Sequence, residues 1–289
     1  MTRPSAPSMD RRRLRTVLRT AREQARMTQE QVAAAMDWSP SKIIRIESGS
    51  VSISTNDLRA LLELYDVATP EQRSDLIVLA RTSRRPPWWA EYRDSLSRAF
   101  IYYIGLEPNA AELRFFNGTL IPGLLQTEDY AAAALTGSAP RVISAEAAAQ
   151  RLSVRMIRQV EFFEQDEPPL LTVVLDEAAL RRRVGGDDVM RDQLGRLAEI
   201  AGQPRVTVRV IPFTRGAHSG TFGPYVIMDF PDPEAEPPVL FLEGALDDEL
   251  VREKPHVVEK YREAFQRLTD AALDPVETIE IIRRAAAEI

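Results

Sequence analysis

Apolar side chains recur at three- and four-residue intervals through the first eighty positions, in short runs separated by strong capping signals. Leu14, Val17, Leu18, Ala21 and Ala25 put one stripe on a first helix and leave Arg11, Arg12, Arg15, Arg19 and Arg22 largely outside it. Thr28 stands three residues before Gln31, the spacing of a capping box, which predicts a second helix from Gln29 with Val32, Ala33 and Met36 turned inward. Asp37 and Trp38 interrupt it. Ser39-Pro40 then supplies a favoured cap and a proline at the first helical position, where the missing N–H costs nothing. The third helix, about Ser39 to Ile46, turns Ile43 and Ile46 to the face of Trp38 and points Pro40, Ser41, Lys42, Ile44 and Arg45 elsewhere. Gly49 closes the unit, and Ser54 or Thr55 can cap a fourth helix bearing Leu58, Leu61, Leu62 and Tyr65. Thr69-Pro70 with Gln72 repeats the signal for a fifth helix through Leu79.

Arg84 to Trp89 reads Arg-Arg-Pro-Pro-Trp-Trp, and its prolines end the fifth helix. An amphipathic segment from Ala90 to Tyr103 follows, and two adjacent tryptophans at such a junction are expected to pack one domain on the next. Periods of two and of 3.6 then alternate. Glu112 to Phe116, Leu170 to Leu175, Val206 to Ile211, Tyr225 to Phe230 and Val239 to Leu242 read as strands. Ala147 to Phe163, Asp187 to Ala201 and His256 to Leu273 read as helices, with a last helix from Pro275. The predicted organisation is multidomain: an all-α five-helix head at 1–83, a linker and junction helix at 84–105, and an α+β body at 106–289 with a mixed sheet and flanking helices.

Composition narrows the chemistry. With 44% hydrophobic and 28% charged residues over 289, the chain reads as an ordinary globular protein with room for two cores. No apolar run is long enough to span a bilayer, and Met1 to Arg13 is polar and basic, so a cytoplasmic protein without membrane partners is expected. Cysteine is absent and only His218 and His256 are histidines, so no metal site and no cofactor is expected. The net charge of −6 hides an asymmetry: Met1 to Arg85 carries 15 Lys+Arg against 10 Asp+Glu, and the remainder 22 against 33. A basic head on an acidic body suits phosphate contact, which needs local positive potential and not a positive total.

Two helices, a tight turn and an exposed face of short polar and basic side chains fit the major groove of double-stranded DNA. Met27-Thr-Gln-Glu-Gln-Val-Ala33 and Trp38-Ser-Pro-Ser-Lys-Ile-Ile-Arg-Ile-Glu-Ser-Gly49 resemble the XRE-type, lambda-repressor-like helix-turn-helix family. The resemblance implies a phosphate contact for Gln29, base reading along the third helix by Ser39, Pro40, Ser41, Lys42, Ile44 and Arg45, and a structural role for Glu47. Ile44 can touch a thymine methyl or pack on a neighbouring segment.

In the body, Ile121-Pro-Gly-Leu-Leu-Gln-Thr127 places a Pro-Gly pair suited to a type II turn before Thr127, a helix cap. This segment through Tyr130-Ala131, with Val174-Leu-Asp-Glu-Ala-Ala-Leu180, the Gln193-Leu194 helix, Val210-Ile-Pro212 and the His218 loop, is similar to a C-terminal domain of unassigned activity behind XRE-type heads in actinobacterial regulators of the WhiJ kind. That resemblance implies a transcription regulator, often encoded beside a small partner protein, and no catalytic residues. The carboxylates at strand ends, Asp176, Glu177, Glu243, Asp247, Asp248 and Glu249, can bind a divalent metal or act as acid and base, but stand where solvated acids commonly sit. The glycine-rich loop from Phe213 to Thr221, with Arg215, His218 and Ser219, is the candidate ligand site. Arg151, Arg155 and Arg158 share a helix face that can take an anionic ligand, an acidic partner or neighbouring glutamates. The expectation is a sequence-specific DNA-binding regulator, not an enzyme, whose body serves homodimerisation, ligand sensing or partner docking. An antitoxin-like interaction module with autoregulatory DNA binding is the rival.

Overall fold

A computed structural model of the chain describes residues 7–47, 51–67, 69–82, 87–137, 144–165, 167–234, 236–244, 248–252 and 254–289. Gly49, Arg84, Arg85, Pro86 and Asp247, named above, lie outside them. The chain divides into two units, Met1–Ala90 and Glu91–Ile289.

The head consists of α1 (Pro7–Gln24), α2 (Gln29–Ala35), α3 (Pro40–Glu47), α4 (Thr55–Leu64) and α5 (Pro70–Thr82). The capping box forms as expected, with Thr28 Oγ1 accepting from Gln31 N at 3.2 Å and Gln31 Oε1 from Thr28 N at 2.8 Å. Ser54 caps α4 through Asp57 N, and Thr69 caps α5 through Gln72 N. Helix α2 ends in a Schellman closure, Trp38 N to Ala33 O and Asp37 N to Ala34 O, with Asp37 left-handed at φ 54°. That closure makes the turn before α3 and brings Trp38 back onto the core. Arg26, at φ 55°, closes α1 in the same way. Leu18, Val32, Ile43, Leu58, Leu61 and Leu62 are sealed in a single core, where burying each side chain contributes about 1.5–3 kcal/mol.

The second unit opens with α6 (Arg98–Leu106), β1 (Glu112–Asn117), α7 (Glu128–Gly137), α8 (Ala145–Phe163) and β2 (Leu170–Asp176). It continues with α9 (Ala178–Arg181), α10 (Asp187–Ala201), β3 (Val206–Ile211), β4 (Tyr225–Asp229), β5 (Val239–Leu242), β6 (Glu249–Val251), α11 (Pro255–Ala271) and α12 (Pro275–Ala287). The strands form one mixed sheet in the order β3-β2-β1-β4-β5-β6. β1, β2 and β3 are parallel, whereas β4, β5 and β6 join antiparallel from β1 outward. Strand direction therefore switches at β1. Phe116, Val174, Tyr225, Ile227 and Leu240 line one face and pack with Phe265 and Leu268 of α11. Leu113, Phe115, Val173, Val226 and Phe241 line the opposite face, as the period of two requires.

The five-helix head and mixed-sheet body are as the sequence predicts. Two local readings differ. The segment from Ala90 to Tyr103 is not one amphipathic helix: a 3-10 turn covers Trp88–Tyr92, and α6 starts afresh at Ser97, whose hydroxyl accepts from Phe100 N at 3.0 Å. The Pro-Gly pair does not form a type II turn either. Gly123 begins a 3-10 turn closed by Leu125 N to Pro122 O. A Cβ at Gly123 would stand 3.4 Å from Arg155 Nε, in van der Waals contact with that side chain.

Candidate functional site

Helix α3 sorts its side chains by burial. Ile43 and Ile46 face the core, while Ser39, Pro40, Ser41, Ile44 and Arg45 are exposed, with Ile44 at 49%. Arg45 lies along the helix, its Nε donating to Ser41 O at 3.2 Å. The hydroxyls of Ser39 and Ser41 stand 3.1 Å apart. Lys42 differs from its neighbours: its ammonium is 3.2 Å from Asp57 Oδ2 and 3.7 Å above the Trp38 ring centroid. The cation at that position is therefore already engaged by α4 and by the turn.

Beneath this face sits Glu47, only 7% exposed. It accepts from Arg22 Nε and from Gln29 Nε2, both at 2.7 Å, and so joins α1, α2 and α3. Arg22 also donates to Met27 O at 2.8 Å. The hydrogen bond and charge of Glu47 raise the Arg22 pKa above its ordinary value, against the cost of burial. Gln29, half-buried at the start of α2, is oriented by the same carboxylate. A shallow groove of about 740 Å³ passes this point, with Arg19 and Arg26 on its rim. Arg26 reaches that rim because it closes α1, a placement that periodicity does not reveal.

In the second unit, a cleft of about 450 Å³ lies between α6, α8, the 121–126 loop and the β1–β4–β5 face of the sheet. Its frame is a buried network: Arg158 donates from Nε to Glu107 Oε2 at 2.7 Å, and from Nη2 to Glu107 Oε1 and Tyr103 Oη, both at 2.6 Å. Burial opposes the Arg158 cation, but Glu107 outweighs it and holds the pKa above the usual value. Tyr103 in turn stacks on Phe241, centroids 4.5 Å apart. The loop is latched from two helices. Gln159 Nε2 donates to Gly123 O and Gln126 O, and Gln193, fully buried, donates to Leu125 O while accepting from Thr127 N.

A family model described as a helix-turn-helix domain matches residues 13–76, and one described as a domain of unknown function, DUF5753, matches residues 100–284. The chain belongs to the DUF5753 family. No curated protein and no solved structure matches it.

Within the DUF5753 domain the sequence-predicted residues separate into two places. Arg151 and Arg155 line the cleft; Arg151 Nε points to Ser95 O at 3.4 Å, and Arg155 Nη1 donates to Gln126 Oε1 at 2.6 Å. Desolvation lowers the Arg155 pKa to about 10. Arg215, His218 and Ser219 lie elsewhere, on the loop after β3, where Arg215 is exposed. His218 Nε2 is 2.8 Å from Asp176 Oδ2, and its Nδ1 accepts from Gly220 N, so the neutral ring carries its proton on Nε2. Both ring nitrogens are thereby engaged. Ser219 Oγ faces Ala264 O at 3.4 Å and not the imidazole. Glu177 accepts from Phe213 N and Arg181, which ties that carboxylate to the same loop. Among the described residues no group of three or more His, Asp or Glu could hold a metal ion, and no described helix is long and apolar enough to cross a membrane.

Proposed function

We propose that this protein is a DNA-binding transcription regulator of the XRE type, whose head reads an operator half-site with α3 and whose DUF5753 domain governs that binding. The observation that carries the reading is the short, proline-started α3, exposing Ser39, Pro40, Ser41, Ile44 and Arg45 while Glu47 fixes it to α1 and α2. A helix so held presents its row at a fixed angle, which major-groove reading demands. Gln29 and the arginines on the groove rim supply phosphate contacts, and Arg45 supplies the longest base-reaching side chain. Lys42 contributes by bracing α3 on α4, and reaches DNA only by leaving Asp57.

One head makes a weak contact. Two heads on an inverted repeat multiply it, so a homodimer is the expected DNA-bound form. The test is genome-wide binding by the intact protein against an Arg45→Ala variant at matched expression. Peaks sharing an inverted motif, lost or broadened in the variant, support operator reading. Arg45→Ala should cost roughly 1–3 kcal/mol of discrimination at one base position. Absence of any motif in the wild-type peaks would overturn the proposal.

A further inference from the structure

Among the charged residues that line the cleft of the DUF5753 domain, Arg151, Arg155, Glu243 and Asp248 have no described ion-pair partner, and desolvation shifts the pKa of two of them, Arg155 and Glu243. Arg155 makes its one described hydrogen bond to the neutral amide of Gln126, and no described carboxylate lies within ion-pair distance of it. The contrast is one turn away, where Arg158 is fully matched by Glu107 and Tyr103. Glu243, just past the end of β5 and two residues beyond Phe241, lines the cleft with no described hydrogen-bond or ion-pair partner. Glu243 is exposed as a residue, yet the cleft walls desolvate its carboxylate and raise its pKa, even with Arg155 pulling the other way. The same desolvation lowers the Arg155 pKa. The two groups offset each other only in part, so each retains a desolvation cost that a counter-charge at hydrogen-bond distance would relieve.

The location is what ligand binding in such sheets favours: the carboxyl end of β1, from which the strand order runs to β2 and β3 on one side and to β4, β5 and β6 on the other. The volume, about 450 Å³, lies within the range of about 300–1,000 Å³ usual for small-molecule sites. Phe100, Tyr103, Phe115 and Phe241 supply aromatic walls. A phosphorylated ligand would meet the Glu243 carboxylate, and a purely cationic one would meet Arg155.

We infer that this cleft binds a small zwitterion with a large apolar side chain, an α-amino acid or a close analogue. Its carboxylate lies on Arg155, its ammonium on Glu243, and its side chain against Tyr103 and Phe241. The inference does not depend on the head binding DNA.

The test is calorimetric titration of the intact protein with L-phenylalanine, L-tryptophan and L-leucine, alongside 3-phenylpropionate and 2-phenylethylamine, which lack the amine and the carboxylate respectively. At least one amino acid should bind saturably and more tightly than either truncated analogue. Glu243→Gln should weaken it by roughly ten- to a hundredfold while sparing 3-phenylpropionate. Arg155→Gln should weaken both carboxylates, and Arg155→Lys should recover part of the loss. Glu243 lies at the solvent-reached side, so its variant keeps the fold and decides the matter if Arg155→Gln does not. Failure of all three amino acids to bind, or binding indifferent to Glu243→Gln, would overturn the inference whatever the head does on DNA.

Discussion

Removal of the Glu47 carboxylate is the sharpest perturbation of the head. Glu47→Ala leaves the Arg22 guanidinium, whose side chain is 12% exposed, without the oxygen that sits 2.7 Å from its Nε, and strips Gln29 Nε2 of its acceptor. Breaking a buried pair on one side typically costs about 3–5 kcal/mol, because the remaining charge stays desolvated. Arg22 keeps Met27 O and has Glu23 at 3.6 Å, which sets the expectation at the lower end, about 3 kcal/mol. A domain of this size holds roughly 4–12 kcal/mol in all, so the variant head should be marginal. Hydrogen exchange of the full chain resolves the effect by position: amides of α1, α2 and α3 should lose about a hundredfold in protection while those of the second unit stay unchanged. The double variant Arg22→Met, Glu47→Leu should recover most of the loss, since an apolar pair carries no stranded charge. A loss below fivefold in Glu47→Ala, or a double variant less protected than the single, would refute the reasoning.

Three further outcomes follow from the second unit. Gln193→Ala strands Thr127 N–H and Leu125 C=O and opens a cavity, so thermal unfolding should show a loss of about 3 kcal/mol. Gly220→Ala places a Cβ 2.0 Å from the Phe116 ring; calorimetry should show at least about 1–3 kcal/mol lost, and an unchanged melting temperature would mean that the loop shifts freely. For Glu243 the folded pKa is raised, so wild-type stability declines as pH rises from the ordinary glutamate value, about 4.3, through the folded one. Glu243→Gln should match wild type near pH 4 and become the more stable protein by pH 7; equal melting curves at pH 7 would contradict the shift.

The parts of this fold legible in sequence are those decided locally. Thr28 with Gln31, and Ser54, mark helix starts through groups within three residues and cap as read, and α3 starts at Pro40 as Ser39-Pro40 suggests. Elsewhere the period leaves a contact open or is too short to register. Lys42 has an outward position by period, yet Asp57 and Trp38 capture its ammonium. Ser97 restarts a helix that the apolar pattern alone runs straight through. β6 has only Glu249, Leu250 and Val251, too few for a period of two to register. The strand order is set by pairings such as Leu113 with Leu171 and Met228, and a local pattern carries no partner information.

The same distinction explains why Ile121 to Thr127 stands out as a motif without containing the cleft's charged groups. Its conspicuous residues are spent on holding shape: Gln126 donates to Ile121 O, and Tyr130 Oη accepts from Ile121 N. The polar groups that fix the loop come from Gln159 and Gln193, at least 33 residues away. What the loop positions is Arg155, through Gln126 Oε1. A wall held this firmly keeps a guanidinium in a desolvated place that it would otherwise leave for water, and such preorganisation is worth its cost only when something other than water occupies the cleft. The local motif and the distant, unpaired Glu243 are therefore two halves of one arrangement, joined only by the fold.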